Sequence, residues 1–193
     1  MSATDDDATL RLADEVARVL HAEGVDAVVI GAIALAFHRY ARATVDVDLA
    51  VAVPPATLAT LAVRLRAAGF DVALREPDAD DPLGGVLDVR HGATGLVQIV
   101  NFDNAPAGGF PRLVREALVH ATPIDQTALR VVDLPSLVAF KLYAGGPKSA
   151  LDVLALLERN DVDLEDLQAR CDSLGLGREL ESVLALRGRF AER

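Results

Sequence analysis

The sequence predicts an α+β fold, a mixed α/β sheet with flanking helices, followed by a C-terminal helical lobe. Three observations predict it. Helical and strand periodicities alternate through the first two thirds of the chain. The strand-like runs are rich in Val and Ile and are bounded by Gly and Pro. From Leu134 onward the pattern is helical only, which segregates helices from strands in the α+β manner.

Leu10 to Ala22 carries Leu12, Val16 and Leu20 at helical spacing, and Gly24 suits the end of that helix. "VDAVVIG" (Val25 to Gly31) is a short β-branched run that reads as a buried strand. "AIALAFHR" has helical composition. Thr44 to Val51 alternates with period two, as a strand with one buried face does. Pro54 and Pro55 stop it and open the helix "ATLATLAVRLRAAG", which Gly69 ends. "FDVALR" is a strand and "REPDADDPLGG" a polar loop. "VLDVRHGATGLVQIVNF" reads as two strands around a turn at "HGATG". The loop "APAGGFP" leads to a helix from Arg112 to His120, and "LRVVD" is a short strand. "LPSLVAFKLYA" is an apolar helix ended by Gly145 and Gly146. Helices over Pro147–Arg159, Leu164–Leu174 and Gly177–Arg189 complete the chain, with Asp163 as an N-cap. This divides the protein into an α/β domain, residues 1–130, and a helical lobe, residues 131–193.

The chain has 193 residues and a net charge of −10, which argues against a large non-specific nucleic-acid surface but leaves room for a small basic pocket. Cys171 is the only cysteine, so no intrachain disulfide forms, and a reducing, cytoplasmic setting is expected. The acidic start "MSATDDDATL" has neither signal-peptide nor transit-peptide character. The apolar runs are too short and broken to span a bilayer, so no membrane role is expected. Nineteen basic residues include only two lysines, Lys141 and Lys148, which fall close together.

The chemistry centres on "HRYARATVDVDLAV". On a strand, Val45, Val47, Leu49 and Val51 take one face, and Asp46 and Asp48 take the other with Thr44. The two carboxylates then lie roughly 7 Å apart at their Cβ atoms, given the rise per residue of a strand. Like charges so close repel, and a divalent cation between them reverses the penalty. Mg2+ is commonly held by one or two carboxylates plus substrate phosphates. A solvent-facing strand bearing two acids by chance is the plainer alternative. Upstream, Gly31 sits where a buried strand meets a helix, a place where backbone N–H groups can approach an anion.

Here the chain resembles the nucleotidyltransferase superfamily, with its DNA polymerase β-like fold. The pattern is Ile30, Gly31, Ala32, thirteen residues, then Asp46, Val47, Asp48, Leu49. It is most similar to the abortive-infection type nucleotidyltransferases of type IV toxin–antitoxin systems, through His38, Arg42, Thr44, Asp46, Asp48 and Leu49. A second segment, "FKLYAGGPKSALDVLALLERN", adds Lys141, Lys148 and Asp152 in the order that branch shows.

The resemblance implies transfer of a nucleoside monophosphate from a nucleoside triphosphate to an acceptor hydroxyl on RNA, protein or a small molecule, with Mg2+ (or Mn2+) as cofactor. It implies Asp46, Asp48 and Lys141 as catalytic groups. Gly31, Ala32, Arg42, Thr44, Gln98, Lys148 and Asp152 would meet the nucleotide, with Asp152 orienting Lys141. It also implies an antitoxin-type protein partner. Two positions depart from the family pattern. Ala32 replaces a Gly or Ser. The third carboxylate position falls on Gln98 in "GLVQIVNF", a neutral amide that cannot act as a general base. Asp88 in "VLDVR" has the same apolar flanks and is the other candidate metal ligand beside Asp46 and Asp48. Gln98 favours the alternative of a nucleotide-binding or partner-binding module without turnover. For Lys141, a snorkelling side chain covering the core is the structural alternative; for Asp152 it is an acid in a helix first turn.

Overall fold

The computed structural model describes residues 3–44, 46–77, 82–92, 95–104 and 107–191. Val45, the middle of "REPDADDPLGG", the centre of the "HGATG" turn and part of "APAGGFP" lie outside the described residues. The fold is α+β, with one seven-stranded mixed sheet and eight helices among the described residues.

Helix α1 (Ala3–Ala22) starts earlier than the apolar spacing shows, because its first turns are polar. Leu12, Ala13, Val16, Ala17 and Leu20 form its buried stripe. Strand β1 (Val28–Ile30) leads directly into α2 (Gly31–Phe37). Strand β2 (Asp46–Val51) alternates half-buried and buried residues until its last three, which are all buried. Helix α3 (Pro55–Ala67) has Pro at its first turn as expected. Strands β3 (Asp71–Arg75), β4 (Val86–Arg90) and β5 (Leu96–Asn101) follow, then α4 (Pro111–His120). An edge hairpin of β6 (Thr122–Pro123) and β7 (Arg130–Val131) ends the sheet. The tail is α5 (Leu134–Ala144), α6 (Gly146–Arg159), α7 (Leu164–Ser173) and α8 (Gly177–Ala191).

The strand order is β3-β4-β5-β2-β1-β7-β6. β2 runs parallel to β5 and antiparallel to β1, and β4 runs antiparallel to both β3 and β5. This register places Ala73, Asp88, Gln98, Asp48 and Ile30 in one row across five strands. Side chains in such a row share a face. The opposite face carries Val47, Leu49, Val97, Ile99, Leu87 and Val29, all buried; on the sheet's helical side, α1 contacts α3, β2 and β5.

Helix α5 is apolar nearly all round and buried along most of its length. It is capped by Asp133, which accepts from the Ser136 backbone N–H and also receives Arg170 Nη1 at 2.8 Å. Asp163 caps α7 by accepting from the Glu165 and Asp166 backbone N–H groups. Helix α5 contacts α2, α4, α6 and α7, so the helical tail and the sheet share one continuous cluster of buried residues. Among the described residues no helix is long and apolar enough to cross a membrane.

Candidate functional site

The site forms where β1 turns into α2, opposite the face of α5 that carries Lys141. Asp46 and Asp48 both stand half-buried on the same face of β2, as their spacing predicts. Gly31 has φ +67°, a left-handed conformation that glycine adopts freely. A Cβ built on Gly31 would overlap the Asp48 carboxylate. The carboxylate is thus seated on bare backbone at the strand-to-helix turn. Burial is the main cause that pushes the Asp48 carboxyl above its usual value; the neighbouring Asp46 adds to it, and Lys141 opposes it. Among the described residues neither acid takes part in an ion pair, and neither carboxylate accepts a side-chain hydrogen bond.

The basic residues before the acids are used to dock the loop between α2 and β2 onto the helical tail. His38 Nε2 donates to the Val132 carbonyl at 2.8 Å, and the His38 carbonyl accepts from Asn160 Nδ2 at 2.9 Å. Arg159 stacks over the Tyr40 ring, 4.9 Å from its centroid. Arg42 Nη1 reaches both oxygens of Asp152, at 2.7 and 2.8 Å. Lys141 Nζ meets the same carboxylate at 2.8 Å. The Asp152 side chain is 3% exposed, against 26% for Arg42 and 17% for Lys141. One buried carboxylate therefore holds two cations from two elements, which offsets its own desolvation. The orienting role expected of Asp152 has this geometric basis, while Lys141 is partly buried rather than snorkelling outward.

Thr44 does not continue the strand. Its hydroxyl donates to the Asp46 carbonyl at 3.1 Å and accepts from the Asp46 N–H at 3.2 Å, so it sets the entry to β2 instead of offering a free hydroxyl. Ala32 lies half-buried in the first turn of α2, and Lys148 is exposed in the first turn of α6.

Gln98 is the register partner of Asp48 on the adjacent strand. Asp88 is not brought to that pair. It sits one strand further out, so two strand spacings, about 10 Å, separate it from Asp48. Its Oδ1 accepts from Gln98 Nε2 at 2.7 Å and from Arg75 Nη2 at 2.9 Å. Among the described residues no three His, Cys, Asp or Glu side chains gather to hold a metal ion. The expected third metal ligand is corrected accordingly: Asp88 neutralises Arg75 and fixes the Gln98 amide.

Sequence reasoning missed a cavity of about 410 Å3 beside the acids, whose wall includes Ile30, Gly31, Val100, Phe102, Phe140 and Lys141. The one local signal is that Phe140 and Tyr143 flank Lys141 in a chain with only eight aromatic residues.

This sheet order and site define a nucleotidyltransferase-like fold. No family model matches the chain, and no curated protein does. Among solved structures it is similar to an antigenic nucleotidyltransferase-like protein from Paracoccidioides brasiliensis, with TM-score 0.55 and 17% identity over 94% of each chain. It is also similar to the antibiotic-resistance factor ANT(2'')-Ia, with TM-score 0.50 and 16% identity over 97% of this chain and 95% of that one.

Proposed function

We propose that the protein is a nucleotidyltransferase that moves a nucleoside monophosphate from a nucleoside triphosphate to an acceptor hydroxyl. The observation that carries this reading is the pair Asp46 and Asp48 on one strand face, with Asp48 seated on Gly31 and opposed by Lys141.

Two neighbouring carboxylates, partly desolvated and without ion pairs among the described residues, fit a divalent cation. Bound there, Mg2+ would polarise the reacting phosphate. Asp46 and Asp48 would hold the cation. Lys141, kept in place by Asp152, meets the charge that develops on the leaving pyrophosphate. Arg42 steadies the same carboxylate and closes the helical lobe, residues 131–193, onto the α/β domain, residues 1–130. Gln98 offers a neutral amide beside Asp48, and Asp88 holds that amide in one orientation. The Gln98 amide accepts no proton, so it cannot serve as general base for the acceptor hydroxyl.

The test is incubation with each labelled triphosphate, Mg2+ or Mn2+, and RNA or lysate as acceptor. Label transfer that disappears in Asp46→Ala and Asp48→Ala supports the reading. Tight nucleotide binding without transfer to any acceptor supports the module without turnover, which Gln98 favours. The finer role is a cytoplasmic toxin held by an antitoxin-type partner, supported by the order His38, Arg42, Thr44, Asp46, Asp48, Leu49. Growth arrest on expression, relieved by Asp46→Ala, is its expected signature; harmless expression would refute it.

A further inference from the structure

Gln98 stands between two carboxylates, with Asp48 on one neighbouring strand and Asp88 on the other. Its NH2 group could serve either. It goes to Asp88, 2.7 Å from Nε2, although the same Asp88 oxygen already accepts from Arg75 Nη2 at 2.9 Å. We infer that Asp88 is a positioning residue for the cation site: it turns the Gln98 amide so that the amide oxygen serves as a neutral third ligand to the cation bound by Asp46 and Asp48. The inference rests on the nucleotidyl-transfer reading and adds to it a ligand and the residue that aims it.

The orientation follows from which groups donate and which accept. An ionised carboxylate only accepts, so the amide must present its nitrogen to Asp88 and not its oxygen. The Arg75 guanidinium keeps its charge and is fastened to that same Asp88 oxygen. Arg75 reaches it diagonally, because the residue directly opposite Asp88 on β3 is Ala73, whose small side chain leaves the space open. The oxygen and nitrogen of an amide diverge from one carbon. The oxygen therefore lies away from Asp88, on the side where Asp48 stands, and among the described residues no donor meets it.

Charge alternates inward from the sheet edge: the Arg75 guanidinium, the Asp88 carboxylate, then the Gln98 NH2. The next two groups break the alternation, because the amide oxygen and the Asp48 carboxylate are both electron-rich. A cation between them restores it. Carbonyl oxygens suit Mg2+ and Mn2+ as ligands. Among the described residues no third His, Cys, Asp or Glu stands with the acid pair to do the same work. A turned amide would set its NH2 on Asp48 and occupy the carboxylate that the cation needs. Asp88 prevents that turn, as outer partners at metal sites commonly fix the ligands they touch.

The experiment measures Mg2+ binding to the full chain by calorimetry in wild type, Gln98→Met, Asp88→Val and the double variant. Val suits a strand, and Arg75, 57% exposed, is free to reach water once Asp88 is gone, so the fold is expected to hold. Thermal unfolding checks this, and Asp88→Thr provides the same comparison should Asp88→Val unfold. Each single substitution is expected to weaken Mg2+ binding about tenfold. The double variant should bind no more weakly than Gln98→Met alone. On adding Mg2+, the side-chain amide resonances of Gln98 should shift in wild type and shift much less in Asp88→Val at equal saturation. The cycle separates aim from charge. The Asp88 charge acts on a cation whether or not Gln98 is present, whereas aim needs Gln98. Unchanged affinity in either single variant, or a loss from Asp88→Val that persists in full in the Gln98→Met background, overturns the inference and leaves Asp46 and Asp48 as the cation's ligands. If wild type binds neither Mg2+ nor Mn2+ at millimolar concentration, the nucleotidyl-transfer reading falls and takes this inference with it.

Discussion

Gly31→Ala is the sharpest test of how the site is built, because two separable penalties meet at one atom. An L-residue held at φ +67° pays about 1–2 kcal/mol for left-handed backbone. The new methyl also runs into the Asp48 carboxylate, and overpacking of this kind costs about 1–3 kcal/mol. The sum is about 2–5 kcal/mol, and each kilocalorie moves the midpoint of a chain this size by about 2–4 °C. Asp48→Ala removes the carboxylate and leaves only its Cβ, 3.1 Å from the added methyl, which a small shift relieves. In that background Gly31→Ala should cost about 1–2 kcal/mol, the backbone term alone. The unfolded-state entropy gain from Gly→Ala is the same in both backgrounds and cancels. The double-mutant cycle in urea is therefore expected to show a coupling of about 1–3 kcal/mol. Additive effects would mean that Asp48 does not rest on Gly31, and the proposed seating of the acid would be wrong.

Three further outcomes follow from the same geometry. The native state keeps the Asp48 proton to higher pH than the unfolded chain does. Between the usual 3.8 and the raised native value it therefore binds more protons, and stability falls as pH rises through that window. Asp48→Asn, measured by urea unfolding with chelator present, should match wild type at the acid end of that window and exceed it above; a less stable variant at neutral pH would refute this. Asp152→Ala should cost about 3–5 kcal/mol, since Arg42 and Lys141 lose their shared partner in a buried setting, whereas Arg42→Ala should cost less because Lys141 remains; equal losses in thermal unfolding would count against the shared clamp. Gln98→Glu alone would set a second charge against Asp88 Oδ1, so it should raise Mg2+ affinity only when combined with Asp88→Asn, as read by calorimetry.

The acid pair was legible because period two is a local property: alternating burial along Asp46–Val51 needs only the strand itself. The strand's start was not. Thr44 is the next member of the alternation in sequence, but its hydroxyl bonds twice to the Asp46 backbone. Val25 opens a β-branched run that favours strand, yet its N–H bonds to the Leu20 carbonyl and finishes α1 instead. The two-residue strand β6, Thr122–Pro123, has no β-branched run to announce it. Asp88 is ambiguous in sequence for a deeper reason. Its flanks match those of Gln98, and only the long-range register shows which of the two lies beside Asp48. The residues of "HRYAR" are plain in sequence, but the partners of His38, Arg42 and Tyr40, namely Val132, Asp152 and Arg159, lie about a hundred residues on, where no local pattern links them. The cavity is assembled from strand, loop and helix segments, and no single segment carries its outline.

Gln98 has two opposed effects on this site. Asp46, Asp48 and Asp152 bring three negative charges, and Arg42 and Lys141 return two. One divalent cation then leaves the cluster carrying a single positive charge, which favours a polyanionic triphosphate. A third carboxylate in place of Gln98 would cancel that positive charge and weaken the attraction, since charges a few ångströms apart in a partly desolvated cleft interact strongly. The same neutral amide cannot take the proton of an attacking hydroxyl. Under the proposed function, neutrality at position 98 would strengthen nucleotide binding and slow transfer. The effect of Gln98 is read in the ratio of nucleotide affinity to transfer rate, and neither quantity alone reveals it.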